Sequence, residues 1–263
     1  MYVIISKINP ASMNIYKELK KLKPETKFFF SDKEILYIDA NHLDTDYLVY
    51  ASTHKSTESR KTLCVHVTGN WNKAEYGGKA KKLSMASSHL LKTFFLELNK
   101  QSQEANLQEY EITLEATHHG PYINKPHLFI EIGSSEKEWQ DMNAVKVIAK
   151  TINEASKKFE LHKKETKQEQ KKGKKQKWQT ALAFGGGHYC QSFNKHMLED
   201  KYAFAHICPK YALASLTQDM IKQAIEKTQE KVNLALIDWK GLAGNKEKLL
   251  KILDDIGLFW EKA

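Results

Sequence analysis

The sequence predicts a layered α/β/α protein built on a mostly parallel, mixed β-sheet, and two observations carry this prediction. Short β-branched and apolar runs alternate with longer stretches of helical periodicity along the whole chain. The 263 residues, 41% of them hydrophobic, suffice for one sizeable core. We therefore expect a single domain over residues 1–263, with one flexible, lysine-rich excursion at about residues 161–177.

The first half of the chain contains both kinds of element. Alternating or β-branched runs predict strands over residues 2–6, 35–38, 47–51, 63–67 and 110–116. Apolar residues recurring every three or four positions predict helices over residues 11–22 and 83–98. These segments follow one another as expected for an α/β domain.

The second half repeats the pattern around one polar interruption. Strands are predicted over residues 128–132, 181–184 and 232–238, and helices over residues 136–159, 217–231 and 245–257. Ser135 and Glu138 match a capping box at the start of the first of these helices. Residues 161–177 are rich in Lys, Gln and Glu without apolar periodicity, which predicts an irregular segment.

The net charge of +9 is concentrated in one place. Residues 157–177 hold ten lysines and three glutamates, so most of the basicity is local. Such a cluster is typical of a polyanion-binding segment or of a solvated loop, and the sequence favours neither. Three separated cysteines without a C-x-x-C pair, and no signal-like N-terminus, predict a reducing, cytoplasmic location.

A first candidate site follows the predicted strand that ends near Ala116. His118 and His119 stand in a loop that closes with Gly120-Pro121, and neutral imidazoles bind zinc or act as general bases. Glu115 is suited to orient one of these rings. The alternative is a pair of histidines in a polar turn.

A second candidate follows another predicted strand, in the run from Gly185 to Tyr189. Three glycines let the backbone approach a ligand closely, and His188 stands at their end. Neither a phosphate-binding Walker loop nor a dinucleotide fingerprint is present. The alternative is an ordinary tight turn.

Weaker candidates lie in two further segments. His66 lies within the predicted strand over residues 63–67, where a buried structural histidine is the alternative, and Asn70 follows that strand in a predicted turn. Lys55, in a polar run beside His54, is suited to meet a phosphate or carboxylate, although a solvated loop explains it equally well. Nothing in the sequence near Cys190 is arranged to activate its thiol.

These segments together resemble the archaeal and plant type of D-aminoacyl-tRNA deacylase. The resemblance is collinear over nearly the whole chain and is carried by residues 63–71 (LCVHVTGNW), 76–78 (YGG), 113–121 (TLEATHHGP), 128–136 (LFIEIGSSE), 185–189 (GGGHY) and 237–242 (IDWKGL). It departs from the family pattern at residues 190–192 and 52–56, where Lys195 or Lys55 is expected to replace a cation.

The resemblance implies a core similar to peptidyl-tRNA hydrolase and a monomeric, zinc-associated enzyme. The implied activity is hydrolysis of the ester between a D-amino acid and the 3′-terminal ribose of tRNA, which frees both. The candidate catalytic residues are His118, His119, His188, Glu115 and Thr117, and the three histidines are also the candidate zinc ligands. The candidate substrate-binding residues are Gly185, Gly186, Gly187, Tyr189, His54, Lys55, His66, Asn70, Lys195 and Lys210.

Two other functions stay open at this stage. A zinc-dependent peptidase or amidohydrolase would use similar histidines, but the sequence lacks H-E-x-x-H. A non-catalytic tRNA-binding protein would need the lysine-rich segment and not the histidines. Substitution of His118 separates an enzyme from a binding module.

Overall fold

A computed structural model describes residues 1–57, 60–172 and 177–263, and its strands form three sheets. The strands are β1 (Tyr2–Ser6), β2 (Lys27–Ser31), β3 (Leu48–Thr53), β4 (Thr62–His66), β5 (Gly69–Asn70), β6 (Lys82–Leu83), β7 (Glu111–Leu114), β8 (His127–Gly133), β9 (Gln179–Phe184), β10 (Tyr202–Cys208), β11 (Val232–Ile237) and β12 (Trp260–Lys262).

The helices lie between the strands in the chain. They are α1 (Pro10–Lys21), α2 (Ser88–Glu104), α3 (Glu136–Trp139), α4 (Met142–Lys171), α5 (Gln191–Leu198), α6 (Lys210–Leu213), α7 (Gln218–Glu226) and α8 (Lys246–Asp255). Two short 3-10 turns, Ile35–Tyr37 and Lys240–Leu242, complete the described elements. None of the described helices is long and apolar enough to cross a membrane.

The predicted α/β architecture with a mostly parallel sheet is confirmed, but the strands divide between two main sheets. The first has the order β2-β1-β3-β8-β4-β7, and only the β4–β8 pair in it is antiparallel. The second has the order β10-β9-β11-β12 and is entirely parallel. Strands β5 and β6 form a small antiparallel pair.

The two main sheets meet beside β7. The N–H of Ala116 donates to the His188 carbonyl at 2.8 Å, and the N–H of Thr117 donates to the Ile207 carbonyl at 2.9 Å. The Thr113 hydroxyl donates to the Tyr189 carbonyl at 2.6 Å. These bonds, which we call the sheet junction, fix the segment after β9 against the segment after β7.

Helices cover one face of the first sheet, and a segment with a 3-10 turn packs on the other. Alternate residues of β1 show this division, because Val3 and Ile5 belong to the main core with α1, α2 and α4, whereas Ile4 belongs to a smaller core. The smaller core includes Ile35 and Ile38 of the segment predicted as a strand. That prediction was wrong, because these residues form a 3-10 turn that lies over the sheet.

The helix predicted over residues 136–159 is two helices. The capping box of Ser135 and Glu138 is present, but α3 ends after one turn. Asp141 interrupts it, since its carboxylate accepts from the N–H of Asn143 at 2.9 Å and from the Tyr110 hydroxyl at 3.0 Å. A side chain that binds backbone N–H groups in this way starts a new helix, here α4.

Helix α4 continues to Lys171, through part of the segment predicted to be irregular. His162 accounts for part of this extension, because its ring lies 3.0 Å from the His89 ring nitrogen and stacks on Trp178. Lys163 also contacts Asp46 at 2.7 Å. Residues 173–176 of the predicted excursion lie outside the described residues.

One strand and one helix start in the first half also differ from the prediction. Strand β2 was not predicted, although it pairs in parallel with β1 along its full length. Helix α2 starts at Ser88 and not at residue 83, because the Ser87 hydroxyl accepts from the N–H of Leu90 at 3.1 Å and caps it.

Candidate active site

A buried group of imidazole, carboxylate and thiol side chains lies on the first sheet, on the face away from α1, α2 and α4. Cys64 and His66 of β4 point to this face, as do Phe129 and Glu131 of β8, which pair with them across the antiparallel register. We call the group the histidine–glutamate cluster. Its members are His54, Cys64, His66, Glu115, His118, His119, Glu131 and His188.

The cluster does not lie at one carboxyl edge of a parallel sheet, although the segments that carry His54, Glu115 and His188 each follow a strand. Strands β4 and β7 run opposite to the other four strands, so His54 after β3 and Glu115 after β7 follow strand ends at opposite edges. Their long side chains converge over the sheet face, where His54 Nδ1 lies 3.1 Å from Glu115 Oε1.

Glu115 is the centre of the cluster. Its Oε2 lies 3.8 Å from His66 Nε2, 3.7 Å from His118 Nε2 and 3.5 Å from His188 Nε2. The carboxylate is fully buried, and neither of its oxygens has a hydrogen-bond partner among the described residues. A buried carboxylate facing four imidazoles is stable only if positive charge accompanies it.

Glu131 is a second carboxylate that sequence reasoning did not select as a site residue. Its Oε2 lies 3.6 Å from His54 Nδ1 and 3.5 Å from His66 Nε2. The Cys64 thiol faces the same oxygen at 3.9 Å. A carboxylate within the otherwise apolar strand β8 was the available signal, because an unpaired charge is seldom buried.

The backbone sets the ring orientation of three histidines. Nδ1 of His118 lies 2.7 Å from the Ala116 carbonyl, and Nδ1 of His119 lies 2.6 Å from the Gly120 carbonyl. Nδ1 of His66 lies 3.2 Å from the Val67 carbonyl. A carbonyl can only accept, so each Nδ1 carries a hydrogen and each Nε2 is directed to a metal or a proton.

Two histidines of the cluster have raised pKa values and two have lowered ones. Burial would lower the pKa of His54, but Glu131 and Glu115 outweigh burial and raise it to about 9. The same carboxylates raise the pKa of the buried His66. Burial, with nearby imidazoles, holds the pKa of His118 well below its usual range and lowers that of His119 to about 4.

The donor set of the cluster fits a transition-metal ion such as zinc. Ligand atoms of Glu115, His118 and His188 lie within 4.8 Å of one another, as do those of His66, His118 and His119. His66 Nε2 and both Glu115 oxygens are buried without a hydrogen-bond partner among the described residues. Unsatisfied nitrogen and oxygen donors facing one point are what a cation would satisfy.

The cluster opens toward solvent through two histidines. The side chain of Glu115 is 0% exposed, whereas those of His118 and His188 are 22% and 31% exposed. The sheet junction holds His188 in this position through the bond from Ala116. A substrate therefore reaches the cluster from the side of His118 and His188.

Two other predicted site residues have structural partners. The Thr117 hydroxyl accepts from the N–H of Ile207 at 3.0 Å, so this residue belongs to the sheet junction. The Asn70 amide donates to the Gly77 carbonyl at 3.0 Å and holds the loop after β5. Neither side chain is among those that the structure brings into the cluster.

The hydroxyl of Tyr189 lies on His54, at 3.1 Å from Nε2. Trp139 Nε1 also donates to the His54 carbonyl at 2.9 Å, so residues from two distant segments hold this histidine. Tyr189 therefore positions His54, and it also lines the cleft beside His188, so its predicted contact with substrate stays a prediction.

The glycine run is only partly available to a ligand. Gly185 N–H donates to the Cys208 carbonyl at 2.9 Å, and Gly186 N–H donates to the Gly241 carbonyl at 3.2 Å. Gly187 is exposed, and a Cβ added there would meet no heavy atom within 4 Å. Of the three glycines, Gly187 thus offers the open approach.

The predicted substrate-binding lysines separate into two groups. Lys210 lines a cleft beside His188, whereas the exposed Lys55 and Lys195 do not line it.

The thiols of Cys64 and Cys190 are fully buried. Burial is the main cause that raises their pKa values well above the usual range, and the nearby Glu115 carboxylate adds to it. Burial and a raised pKa both disfavour the thiolate form that a cysteine nucleophile needs.

Comparison with known proteins agrees with the resemblance seen in the sequence. A family model described as D-aminoacyl-tRNA deacylase matches residues 41–261. The D-aminoacyl-tRNA deacylase of Thermococcus onnurineus is 35% identical over 97% of each chain, and that of Methanocaldococcus jannaschii is 34% identical over 99% of this chain and 98% of the relative.

A solved structure also matches the fold closely. The crystal structure of a conserved protein of unknown function has a TM-score of 0.84 and 27% identity, over 99% of this chain and 94% of that one. The sequence relatives and the family model both extend over most of the chain and include every segment of the histidine–glutamate cluster. The chain belongs to the D-aminoacyl-tRNA deacylase family.

Proposed function

We propose that the protein hydrolyses the ester bond of D-aminoacyl-tRNA and releases a free D-amino acid and tRNA. One observation carries the proposal: a buried cluster of imidazoles and carboxylates opens to solvent chiefly through His118 and His188, in a member of the deacylase family. Ester hydrolysis needs an activated water and a site for the developing oxyanion, and this arrangement supplies groups for both.

His118 is suited to accept the proton of the attacking water. Its Nδ1–H is held by the Ala116 carbonyl, so Nε2 presents a lone pair at the open side of the cluster. Its lowered pKa keeps the ring neutral at pH 7. The water oxygen then bonds to the ester carbon, the ester C–O bond breaks, and the proton passes to the ribose oxygen that leaves.

The oxyanion would be met by backbone at the glycine run. The N–H of Gly186 is already donated to Gly241, so the proposal places this role on Gly187, the open member of the run. Glu115 balances the imidazolium character of the cluster while charge moves.

As an alternative to the metal-free mechanism, we propose that the cluster binds zinc. Glu115, His118 and His188 would hold the ion, and His66, His118 and His119 are an alternative set. Nδ1 of His118 is held by the Ala116 carbonyl, so Nε2 would then bind the ion and would not accept the proton of the water. When bound, zinc would lower the pKa of a coordinated water and polarise the ester carbonyl. A monomeric state and a cytoplasmic location are further parts of the proposal. The family resemblance supports the first, and the separated cysteines together with that resemblance support the second.

The decisive experiment compares matched D- and L-tyrosyl-tRNA. We expect rapid release of tyrosine from the D form only. Turnover should fall in His118→Ala, while affinity for uncharged tRNA is kept. His42→Ala, which changes an exposed histidine, is the matched control. No release from either substrate would refute the deacylase proposal, and full activity after chelation would refute a role for zinc.

A further inference from the structure

A cleft of about 530 Å³ opens beside the histidine–glutamate cluster, and His188 lines both. Backbone of Gly186, Gly187 and Gly241 forms part of its wall, and we call it the glycine-loop cleft. The volume lies within the range of about 300–1,000 Å³ that is usual for small-ligand sites. The cleft is thus placed to hold the part of a substrate that adjoins the group at His188.

Three cationic side chains line this cleft, and the topology explains why they meet. Strand β9 lies between β10 and β11 in a parallel sheet, so the three strands end at the same edge. The glycine run follows β9, Lys210 comes two residues after β10, and Lys240 comes three residues after β11. The two lysines therefore flank the glycine run from opposite sides. Arg60 also lines the cleft, but its guanidinium lies 3.7 Å from the Glu111 carboxylate.

The carboxylate in the cleft does not cancel this charge. Asp238 accepts from the Ser192 hydroxyl at 2.6 Å and from the N–H of Gly241 at 3.0 Å. Over the described ranges, neither Lys210 nor Lys240 forms an ion pair, and both side chains are exposed. The two lysines outnumber the one carboxylate in the lining, so the glycine-loop cleft is net positive and accessible to an anion.

Glycine keeps the wall of the cleft free of side chains. A Cβ at Gly241 would lie 2.4 Å from the Gly186 nitrogen, so a side chain there would displace the glycine run. The open space at Gly187 lets a ligand contact the backbone directly. These features indicate a site for a compact anionic group next to the reacting ester.

We propose that the glycine-loop cleft binds the phosphate of the 3′-terminal nucleotide of tRNA, with Lys210 and Lys240 on either side of it. The inference rests on the proposed deacylase function. That ester is carried by the terminal ribose, whose 5′ oxygen bears the phosphate. With the ester at His118 and His188, the phosphate lies one sugar ring away, on the side of the cleft.

Binding of an uncharged acceptor-stem minihelix tests this proposal without turnover. Lys210→Met and Lys240→Met should each weaken binding by roughly 3- to 10-fold, since each removes one charged phosphate contact. The double variant should also reduce the salt dependence of log Kd by about 0.7–0.9. Lys251→Met, an exposed lysine on α8, is the matched control. A double variant that binds within twofold of wild type would overturn the proposal.

A second experiment distinguishes failure of this inference from failure of the proposed function. Its substrates are D-tyrosine esterified to the ribose of adenosine 5′-monophosphate and the same ester of adenosine. Wild type should have a higher kcat/KM for the phosphorylated ester than for the adenosine ester. In the double variant the ratio of these two values should be at least tenfold smaller. Hydrolysis with the preference intact in the double variant overturns the inference alone. If the protein hydrolyses neither of these esters nor D-tyrosyl-tRNA, the proposed function is overturned. The minihelix result still decides what the cleft binds.

Discussion

Replacement of Glu115 by glutamine tests the central role of this carboxylate most directly. The change keeps the size of a fully buried side chain but removes the charge that faces His54, His66, His118 and His188. Because the proposal uses Glu115 to balance charge during the reaction, we expect turnover of D-tyrosyl-tRNA to fall by roughly 10²–10⁴-fold.

The effect on stability can be estimated from His54. Its pKa is raised from 6.5 to about 9, which corresponds to about 3 kcal/mol of stabilisation. Glu131 and Glu115 share this effect, so Glu115→Gln should lower the free energy of unfolding of the metal-free protein by about 1–2 kcal/mol at pH 7. A raised pKa gives stability that is complete below pH 6.5 and lost as pH rises through 9. The deficit of the variant should therefore shrink between pH 7 and pH 9.5.

The assays are urea unfolding with a chelator present, at several pH values, and single-turnover deacylation. Glu109→Gln changes an exposed glutamate just before β7 and serves as the matched control. Turnover within tenfold of wild type in Glu115→Gln would refute the proposed role of this carboxylate. A stability deficit that grows above pH 7 would refute the assignment of charge to His54.

Three other predictions concern structural residues. Lys92→Met leaves three carbonyls, two of them buried, without their ammonium donor, so urea unfolding should show a loss of about 2–4 kcal/mol. Lys100→Met on the same helix should change little. Thr117→Val removes the hydrogen bond from the Ile207 N–H, so it should lower the free energy of unfolding by about 1 kcal/mol. Turnover should stay within fivefold of wild type, and a large loss of turnover would instead make Thr117 catalytic. Burial lowers the pKa of His206 to about 4. Between pH 6.5 and 4 the unfolded chain therefore binds a proton at this histidine that the folded protein does not, and the free energy of unfolding falls by up to about 3 kcal/mol. His206→Asn should flatten the thermal stability profile over that range, and a profile parallel to wild type would contradict this origin.

Local patterns predicted much of the candidate site. The two-residue alternation in β4 correctly separates Cys64 and His66 from Leu63 and Val65, because side chains of a strand alternate between faces. The same reasoning does not say which strand lies alongside. Glu131 was missed for this reason, since its pairing with Cys64 depends on the insertion of β4 antiparallel to β8.

Residues distant in the chain account for the roles that sequence reasoning did not predict. Tyr189 and His54 are 135 positions apart, and only the sheet junction brings the tyrosine hydroxyl onto the imidazole. The extension of α4 to Lys171 is likewise tied to contacts of His162 with His89 and Trp178. None of these contacts leaves a periodic signal in the segment concerned.

The sequence by itself determined the α/β class, the two histidine-bearing segments and the family, because these depend on periodicity and on motifs read within one segment. Only the tertiary structure decided that the strands form two sheets, that Glu115 lies at the centre of the cluster and that Thr117 serves the junction between the sheets. It also decided which lysine lies at the cleft, since Lys210 lines it and Lys195 does not. The physical reason is that burial, charge pairing and pKa depend on which distant segments come together, and that is set by strand order and packing.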